Sequence, residues 1–444
     1  MAGKVAVSPE ILGLVLLLTL FAAIFAGYPI AFTLIILALV FGYVEIGLQV
    51  FQLMVYQFFG IMQDQIVAAV PLFVFMGVLL EKADLMDRLF RAFQLLLAPV
   101  RGSLYLAVTF TATIFAAATG IVGASVTLLG VMASPSMKRS RYDVRLSAGI
   151  IAAGGTLGIL IPPSVMLVVM GPVVGVSVVD LFAAAIMPGL LLAGLFASYA
   201  MIRSFLRPEL GPPLPMEERA ASFAVVLREI AVGLVPPAML VTASLGSILS
   251  GLATPTEGAA MGAFGSLLLT LAYRRLTWGK TLSAVLQTLE ISSMVLFLVA
   301  ASNFFGAVFS RLGTPTMISE ALLGLQLPPV AMLLLIMALI FVLAWPLEWV
   351  PIVLIVVPIL LPVVRQLGVD LVWFSILIAV NLQTAWLSPP VALSAYFLKG
   401  VVPDWDLKDI YLGMMQFMIL QMIGLLLVLV FPQIALWLPS VLFG

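Results

Sequence analysis

Apolar runs separated by short polar breaks fill this chain, beginning near Ile11, Tyr28, Ile66, Leu95, Leu146, Leu181, Ile230, Pro255, Val285, Leu327, Trp349, Val372 and Tyr411. Such a pattern belongs in lipid: 64% of the 444 residues are hydrophobic and 9% charged, against roughly 45–50% apolar and about 25% charged in a soluble domain. At about 20 residues per crossing, the length holds roughly a dozen membrane segments and no sizeable soluble domain. The expected fold is an all-α polytopic membrane protein. Several segments are punctuated by Gly or Pro, so some are expected to be re-entrant hairpins.

Composition also excludes chemistry. The chain has no cysteine and no histidine, which removes thiol nucleophiles, disulfides, iron–sulfur clusters, an imidazole base and ordinary zinc sites. No cofactor is expected, nor is an enzyme. A formal net charge of zero gives no pull toward nucleic acid. The run from Ile11 continues without a clear small-residue cleavage site and reads as a retained first helix.

The few basic residues fall in clusters that report orientation. Lys138, Arg139, Arg141 and Arg145 form one, Arg203, Arg207, Arg219 and Arg228 a second, and Arg274, Arg275 and Lys280 a third. With two crossings between successive clusters, all three lie on one side, which the positive-inside rule makes cytoplasmic. The second cluster belongs to the polar stretch Arg203–Glu229, a Pro-rich connector followed by a segment able to lie as an amphipathic helix at the interface. The tryptophans Trp278, Trp405 and Trp437 near helix ends read as interface anchors, and Glu257, just after Pro255, as an acidic residue at a helix start.

Two places defy a continuous helix. In AAGGTLGILIPPSVML (152–167), Gly154, Gly155 and Gly158 weaken a helix, while Pro162 and Pro163 withhold two N–H groups. NLQTAWLSPPVAL (381–393) ends in a second proline pair, Pro389 and Pro390. In a bilayer a broken helix survives only when buried in protein or lining a wet cavity, the setting of an ion or solute site. The two breaks are related: the step from Pro135 to Pro362 equals those from Asp143 to Asp370, from Pro162 to Pro389 and from Pro163 to Pro390. Upstream, a two-residue slip aligns Gly77 with Gly306. The turn after Pro135 carries four basic residues, whereas its counterpart carries only Arg365 before Asp370. That contrast suits copies on opposite sides of the membrane, an inverted repeat with its site between the copies.

The organisation expected is N-terminal scaffold helices (1–65), a first repeat with hairpin and break (66–202), the connector (203–229), further scaffold helices with the TPTE motif (230–290), a second repeat (291–410) and a C-terminal helix (411–444). In the first copy, FAAATGIVGASVTLLG, from Phe115, suits a hairpin whose tip carries Thr119, Ser125 and Thr127 near the backbone of Gly158, Ile161 and Pro163. A cage of uncharged oxygens suits a hard cation, Na⁺ rather than dehydration-resistant Mg²⁺. In the second copy, Glu348 stands where Ile121 stands in the first, and Asn381, Gln383, Thr384 and Ser388 give the break a polar face. The alternative reading of these small residues is close helix packing, and of Glu348 a solvated place at the interface.

With GGTLGILIPPS at 154–164, VPLFVFMG at 70–77, ATPTEGAA at 253–260 and NLQTAWLSPPVAL at 381–393, the sequence resembles the large permease (M) subunit of tripartite ATP-independent periplasmic (TRAP) transporters. The resemblance covers nearly the whole chain. It implies an elevator-type secondary transporter with a scaffold and a mobile domain, Na⁺ as coupling ion, and import of a small organic anion, commonly a carboxylate. It implies as partners a small four-helix membrane (Q) subunit and a periplasmic substrate-binding (P) protein, in the inner membrane of a bacterium or archaeon. By motif match, a first sodium site draws on Thr119, Ile121, Gly158, Ile161 and Pro163, and a second on Glu348, Thr384, Ser388 and Pro389. Ser125, Ser164, Asn381 and Gln383 fall along the substrate pathway. TGIV stands where many members have a serine-rich tip, so Ile121 offers an ion only its backbone. A stand-alone Na⁺/anion symporter is the alternative, and a membrane enzyme or scaffold is disfavoured by the missing His and Cys and the paired breaks.

Overall fold

The computed structural model describes residues 8–119, 122–216, 219, 222–389 and 392–444, and only the backbone of 116–119. Among these residues every regular element is helical. The first part comprises α1 (Pro9–Phe25), α2 (Ile30–Ile46), α3 (Gln49–Gln63), α4 (Ala69–Lys82), α5 (Leu85–Leu97) and α6 (Ser103–Thr119). Then come α7 (Val122–Arg139), α8 (Val144–Thr156), α9 (Val165–Val174), α10 (Val178–Leu206) and α11 (Phe223–Gly233). The second part comprises α12 (Val235–Leu249), α13 (Pro255–Ala272), α14 (Trp278–Arg311), α15 (Thr314–Gly324) and α16 (Pro329–Leu343). It ends with α17 (Trp349–Pro351), α18 (Val357–Gln366), α19 (Leu371–Leu382), α20 (Thr384–Leu387), α21 (Leu393–Val401), α22 (Leu407–Val430) and α23 (Gln433–Phe443). Among the described residues, five helical stretches are long and apolar enough to cross a membrane: Val178–Leu206, Phe223–Leu249, Trp278–Arg311, Trp349–Gln366 and Leu407–Val430.

The register that relates the two proline pairs reappears in the helix boundaries. α7 runs from Val122 to Arg139, and the stretch from α17 to α18, joined by a π-helical turn at Ile352–Val356, runs from Trp349 to Gln366. Asp143 and Asp370 cap α8 and α19 in the same way. The Asp143 carboxylate accepts the Leu146 N–H at 2.8 Å, and that of Asp370 accepts the Trp373 N–H at 2.8 Å. Each satisfies a donor that the first helical turn leaves orphaned and sets negative charge against the positive end of the helix dipole.

Upstream the helix boundaries follow the slipped register that aligns Gly77 with Gly306. α4 and α14 end at Lys82 and Arg311, and the left-handed residues Asp84 (φ 58°) and Gly313 (φ 74°) then turn the chain into α5 and α15. α3 and α14 begin in that same register, at Gln49 and Trp278, so the single 34-residue α14 matches α3 and α4 together. In the first copy that path is interrupted at 64–68, where the Asp64 side chain accepts the Ile66 N–H at 2.9 Å.

Two helices are apolar all round and sunk in protein. Leu146–Thr156 of α8 and Phe374–Leu382 of α19 are buried throughout. Against α8 lies α22. A Cβ added at Gly413 would collide with the Arg145 carbonyl oxygen, and one added at Gly149 would meet the Phe417 ring and the Gly413 carbonyl. Only glycine permits this approach of two backbones. Beyond it, the Arg145 Nε donates to Asp409 at 2.7 Å, and the Lys138 Nζ to Asp404 at 2.7 Å. The Lys138 ammonium holds the carboxyl of exposed Asp404 below the ordinary carboxylate range, by hydrogen bond and charge. At the α4–α5 turn, Arg275 and Lys280 converge on Asp84 at 3.5 and 3.4 Å.

Single residues refine the sequence expectations. Glu257 forms a capping box with Thr254, whose backbone N–H donates to its carboxylate at 2.8 Å; the hydrogen bonds lower its carboxyl below the ordinary range. This is the helix-start role expected of it. Trp278 and Trp437 are exposed. Trp405 is not: it is 4% exposed, which corrects its reading as an interface anchor. The turn carrying it folds back on α7, with Val401 and Val402 packed at Gly130 and the Lys399 ammonium donating to its carbonyl at 2.7 Å. Gly413→Val should drive α22 off α8 and destabilise the protein by about 1–3 kcal/mol, the usual cost of overpacking a core; a thermal unfolding midpoint in detergent equal to that of the parent would contradict the packing described.

Candidate functional site

The first break begins where α8 ends at Thr156. One 3-10 turn follows, Leu157–Ile159, and the chain stays out of helix to Ser164 before α9 starts at Val165. Proline chemistry accounts for it. In a continuing helix the N–H groups of residues 162 and 163 would reach the carbonyls of Gly158 and Ile159, and prolines have none to give. The Ile159 carbonyl is served instead by the Ser164 hydroxyl, which donates to it at 2.6 Å. Gly158, Pro163 and Ser164 are buried; Ile161 is buried with its side chain against Gly189, where an added Cβ would meet it at 2.6 Å. Thr156 closes the end of α8 by donating its hydroxyl to the Ala153 carbonyl at 2.8 Å.

The second break has other partners. α19 ends at Leu382, the short α20 follows, and Ser388 returns to extended backbone. The Thr384 hydroxyl donates to the Asn381 carbonyl. The Asn381 amide donates across to the Met337 carbonyl of α16 at 2.7 Å, and the Gln421 amide of α22 donates to the Val380 carbonyl at 2.9 Å. Asn381, Gln383, Thr384 and Gln421 are each 0% exposed and Ser388 is 2% exposed. Several of their atoms are buried with no protein partner: Asn381 Oδ1, Gln383 Nε2, Ser388 Oγ and Gln421 Oε1. A buried polar atom left unpaired costs about 1–3 kcal/mol, so four in one neighbourhood mark a place kept for something else.

The breaks meet. The Thr156 hydroxyl lies 3.4 Å from Gln383 Oε1, and the two residues stand 227 positions apart in the chain. They are counterparts in the repeat register, and counterpart positions touch only where the two copies come together. Sequence reading chose Gln383 but passed over Thr156, although the register that pairs Pro162 with Pro389 pairs these two as well. Gln421 was also passed over; a lone glutamine in an apolar helix gives no signal of what it faces.

Of the other sequence-selected residues, Ser125 is buried on α7. Pro389 is exposed and does not join the buried set. Glu348 immediately precedes α17 and borders a cavity of about 170 Å³ lined also by Trp345, Trp349, Leu382, Ala385, Trp386 and Leu393. That brings Glu348 beside α19 and α20. α6 ends at Thr119, whose side chain, like all of Gly120 and Ile121, lies outside the described residues, and so does Pro390. Chemically the assembled residues offer amide and hydroxyl oxygens in a buried interior, and so suit holding a solute or ion.

A family model described as "Tripartite ATP-independent periplasmic transporter, DctM component" matches residues 17–434. The sialic acid TRAP transporter large permease protein SiaM of Vibrio cholerae is 31% identical over 426 residues, 95% of this chain and 97% of that protein. The C4-dicarboxylate TRAP transporter large permease protein DctM of Rhodobacter capsulatus is 30% identical over 440 residues, 95% and 98%. The isethionate TRAP transporter permease protein DctMQ of Oleidesulfovibrio alaskensis is 33% identical over 336 residues, 76% of this chain but only 52% of that longer protein. Among solved structures, the YdaH transporter of Alcanivorax borkumensis matches with a TM-score of 0.65 at 16% identity, over 96% of this chain and 98% of that one, a likeness of fold alone.

Asn381→Ala should leave the Met337 carbonyl without its donor and lower stability by about 1 kcal/mol, the scale of an interhelical hydrogen bond in a membrane. Thermal unfolding of the purified variant measures it, and an unchanged midpoint would mean that the amide does not brace α19 against α16.

Proposed function

This chain belongs to the DctM component family of TRAP transporters, and from that premise we propose that it is the permease of a Na⁺-coupled importer of a small organic anion, a carboxylate above all. The family makes it a membrane permease component and not an enzyme. In our reading the helices from α3 to α10 and from α14 to α22 are inverted repeats, and α6–α7 and α16–α18 are re-entrant hairpins. The breaks carry the ions and the substrate between them. The mobile part moves as an elevator against the remaining helices in the inner membrane.

The observation that carries this reading is the contact of Thr156 with Gln383, counterparts in the two breaks. Na⁺ takes uncharged oxygens readily, and Asn381 Oδ1 and Ser388 Oγ are buried oxygens without protein partners. In the first site we place Gly158, Ile161 and Pro163 with Thr119 and Ile121. In the second we place Thr384 and Ser388, with Glu348 and Pro389 at its edge. Ser125, Ser164, Asn381 and Gln383 line the substrate's path.

The chain also leaves its capture step to others. Its helices account for nearly all of its length, and the family description names a tripartite system. We therefore assign a periplasmic substrate-binding protein to deliver the anion and a small four-helix membrane subunit to complete the complex.

In proteoliposomes under an inward Na⁺ gradient, uptake of a labelled organic acid should require both partners and vanish when choline replaces Na⁺. Uptake by this chain alone would refute the partner assignment. Gly158→Leu should raise the Na⁺ concentration for half-maximal uptake at least about tenfold, equivalent to about 1.4 kcal/mol; an unshifted Na⁺ dependence would remove Gly158 from the first site.

A further inference from the structure

We propose that Gln421 is the positioning residue of the second break, fixing the Asn381–Ser388 segment to α22 by a bond that the first break makes within itself. The two carbonyls in question, those of Ala153 and Val380, are counterparts in the register that pairs Thr156 with Gln383, and each lies one turn before the helix gives way. The Ala153 carbonyl is held from within its own segment by the Thr156 hydroxyl at 2.8 Å. The Val380 carbonyl is held from another helix by the Gln421 amide at 2.9 Å. The register has no such donor in the first copy. α10 and α22 start in the slipped register that also matches Asp84 with Gly313, after Ser177 and Asp406, which accept the Val179 and Lys408 N–H groups at 3.1 and 2.9 Å. Gln421 therefore corresponds to Leu192, a buried aliphatic residue that can donate nothing.

Position and burial explain why the bond matters. At 0% exposure the Gln421 amide has no water to exchange for the Val380 carbonyl, and its Oε1 already lacks a protein partner. Losing the bond strands a further buried acceptor in the segment that carries Asn381, Gln383 and Ser388. α22 is also the helix locked to α8 through Gly413 and Arg145. One rigid helix thus holds the first copy near its charged end and the second copy at its break, so a displacement of α8 reaches the second break through Gln421. The ion-binding consequence rests on the reading of that break as a sodium site; the positioning role does not.

The chain's lack of cysteine permits a direct test. Ser388→Cys and, separately, Ser164→Cys are introduced into the full chain, and labelling by N-ethylmaleimide in native membranes is timed with Gln421 in place, with Gln421→Met and with Gln421→Leu. Either replacement should speed labelling at position 388 roughly 3- to 10-fold, the range expected from one interhelical hydrogen bond, and leave labelling at 164 unchanged. Equal rates at 388 in whichever replacement accumulates would overturn the proposal. So would equal acceleration at 388 and 164, which reports general loosening. Uptake by the parent chain, with Ser388 in place, in NaCl and in choline chloride separates the two readings. Uptake independent of Na⁺ removes the ion site, while the labelling ratio between variant and parent still decides the role of Gln421.

Discussion

A backbone carbonyl inside a membrane protein must find a donor, because no water is there to provide one. This constraint governs the whole centre of the molecule. Two proline pairs deprive helices of N–H groups at corresponding places, and polar side chains bond to the backbone around both breaks. Ser164 and Thr156 serve the first break from within. Asn381 and Gln421 tie the second to helices before and after it. The burial of α8 and α19 on all sides follows from the same need, since a broken helix facing lipid would leave its bare groups in hydrocarbon.

The copies solve one problem by different means, and the difference suits a transporter. The first break's side-chain-to-backbone bonds stay within its own segment. The second, besides its Thr384 hydroxyl bond, gives a donor to an α16 carbonyl and takes one from an α22 amide, and so is sensitive to where those helices stand. Four of the buried atoms without protein partners, Asn381 Oδ1, Gln383 Nε2, Ser388 Oγ and Gln421 Oε1, lie on or beside the second break. The family likeness supplies the wider setting, a membrane permease component of a tripartite transporter.

Much of this was legible in the sequence, for identifiable reasons. Proline acts locally, so the shared register of Pro162 with Pro389 foretold two breaks; Asp143 and Asp370 were legible only as register matches, and the structure adds that each caps a helix. What depends on a third helix was not legible. Gln421 lies far along the chain from the Val380 carbonyl it serves, in a segment whose composition looks like any apolar helix. Trp405 was misread because a tryptophan near a helix end commonly faces the interface, and only the return of its turn onto α7 buries it. The split of one path at 64–68 was legible, since a new apolar segment begins near Ile66. The continuity of α14 was not, because the boundary expected at 290/291 falls within a helix that runs from Trp278 to Arg311.

That last contrast has a mechanical meaning. A helix without a fault resists bending along its length, and sharp bends gather where the hydrogen-bond ladder is interrupted. α14 is a stiff rod of 34 residues. Its counterpart is two shorter rods with a joint at 64–68, beside a cavity of about 290 Å³ that Asp64, Val67 and Ala68 share with Leu296, Phe297 and Ala300 of the rod. A strut and an elbow of equal chain length thus stand side by side with space at the bend, and the elbow has a place to flex that the strut lacks.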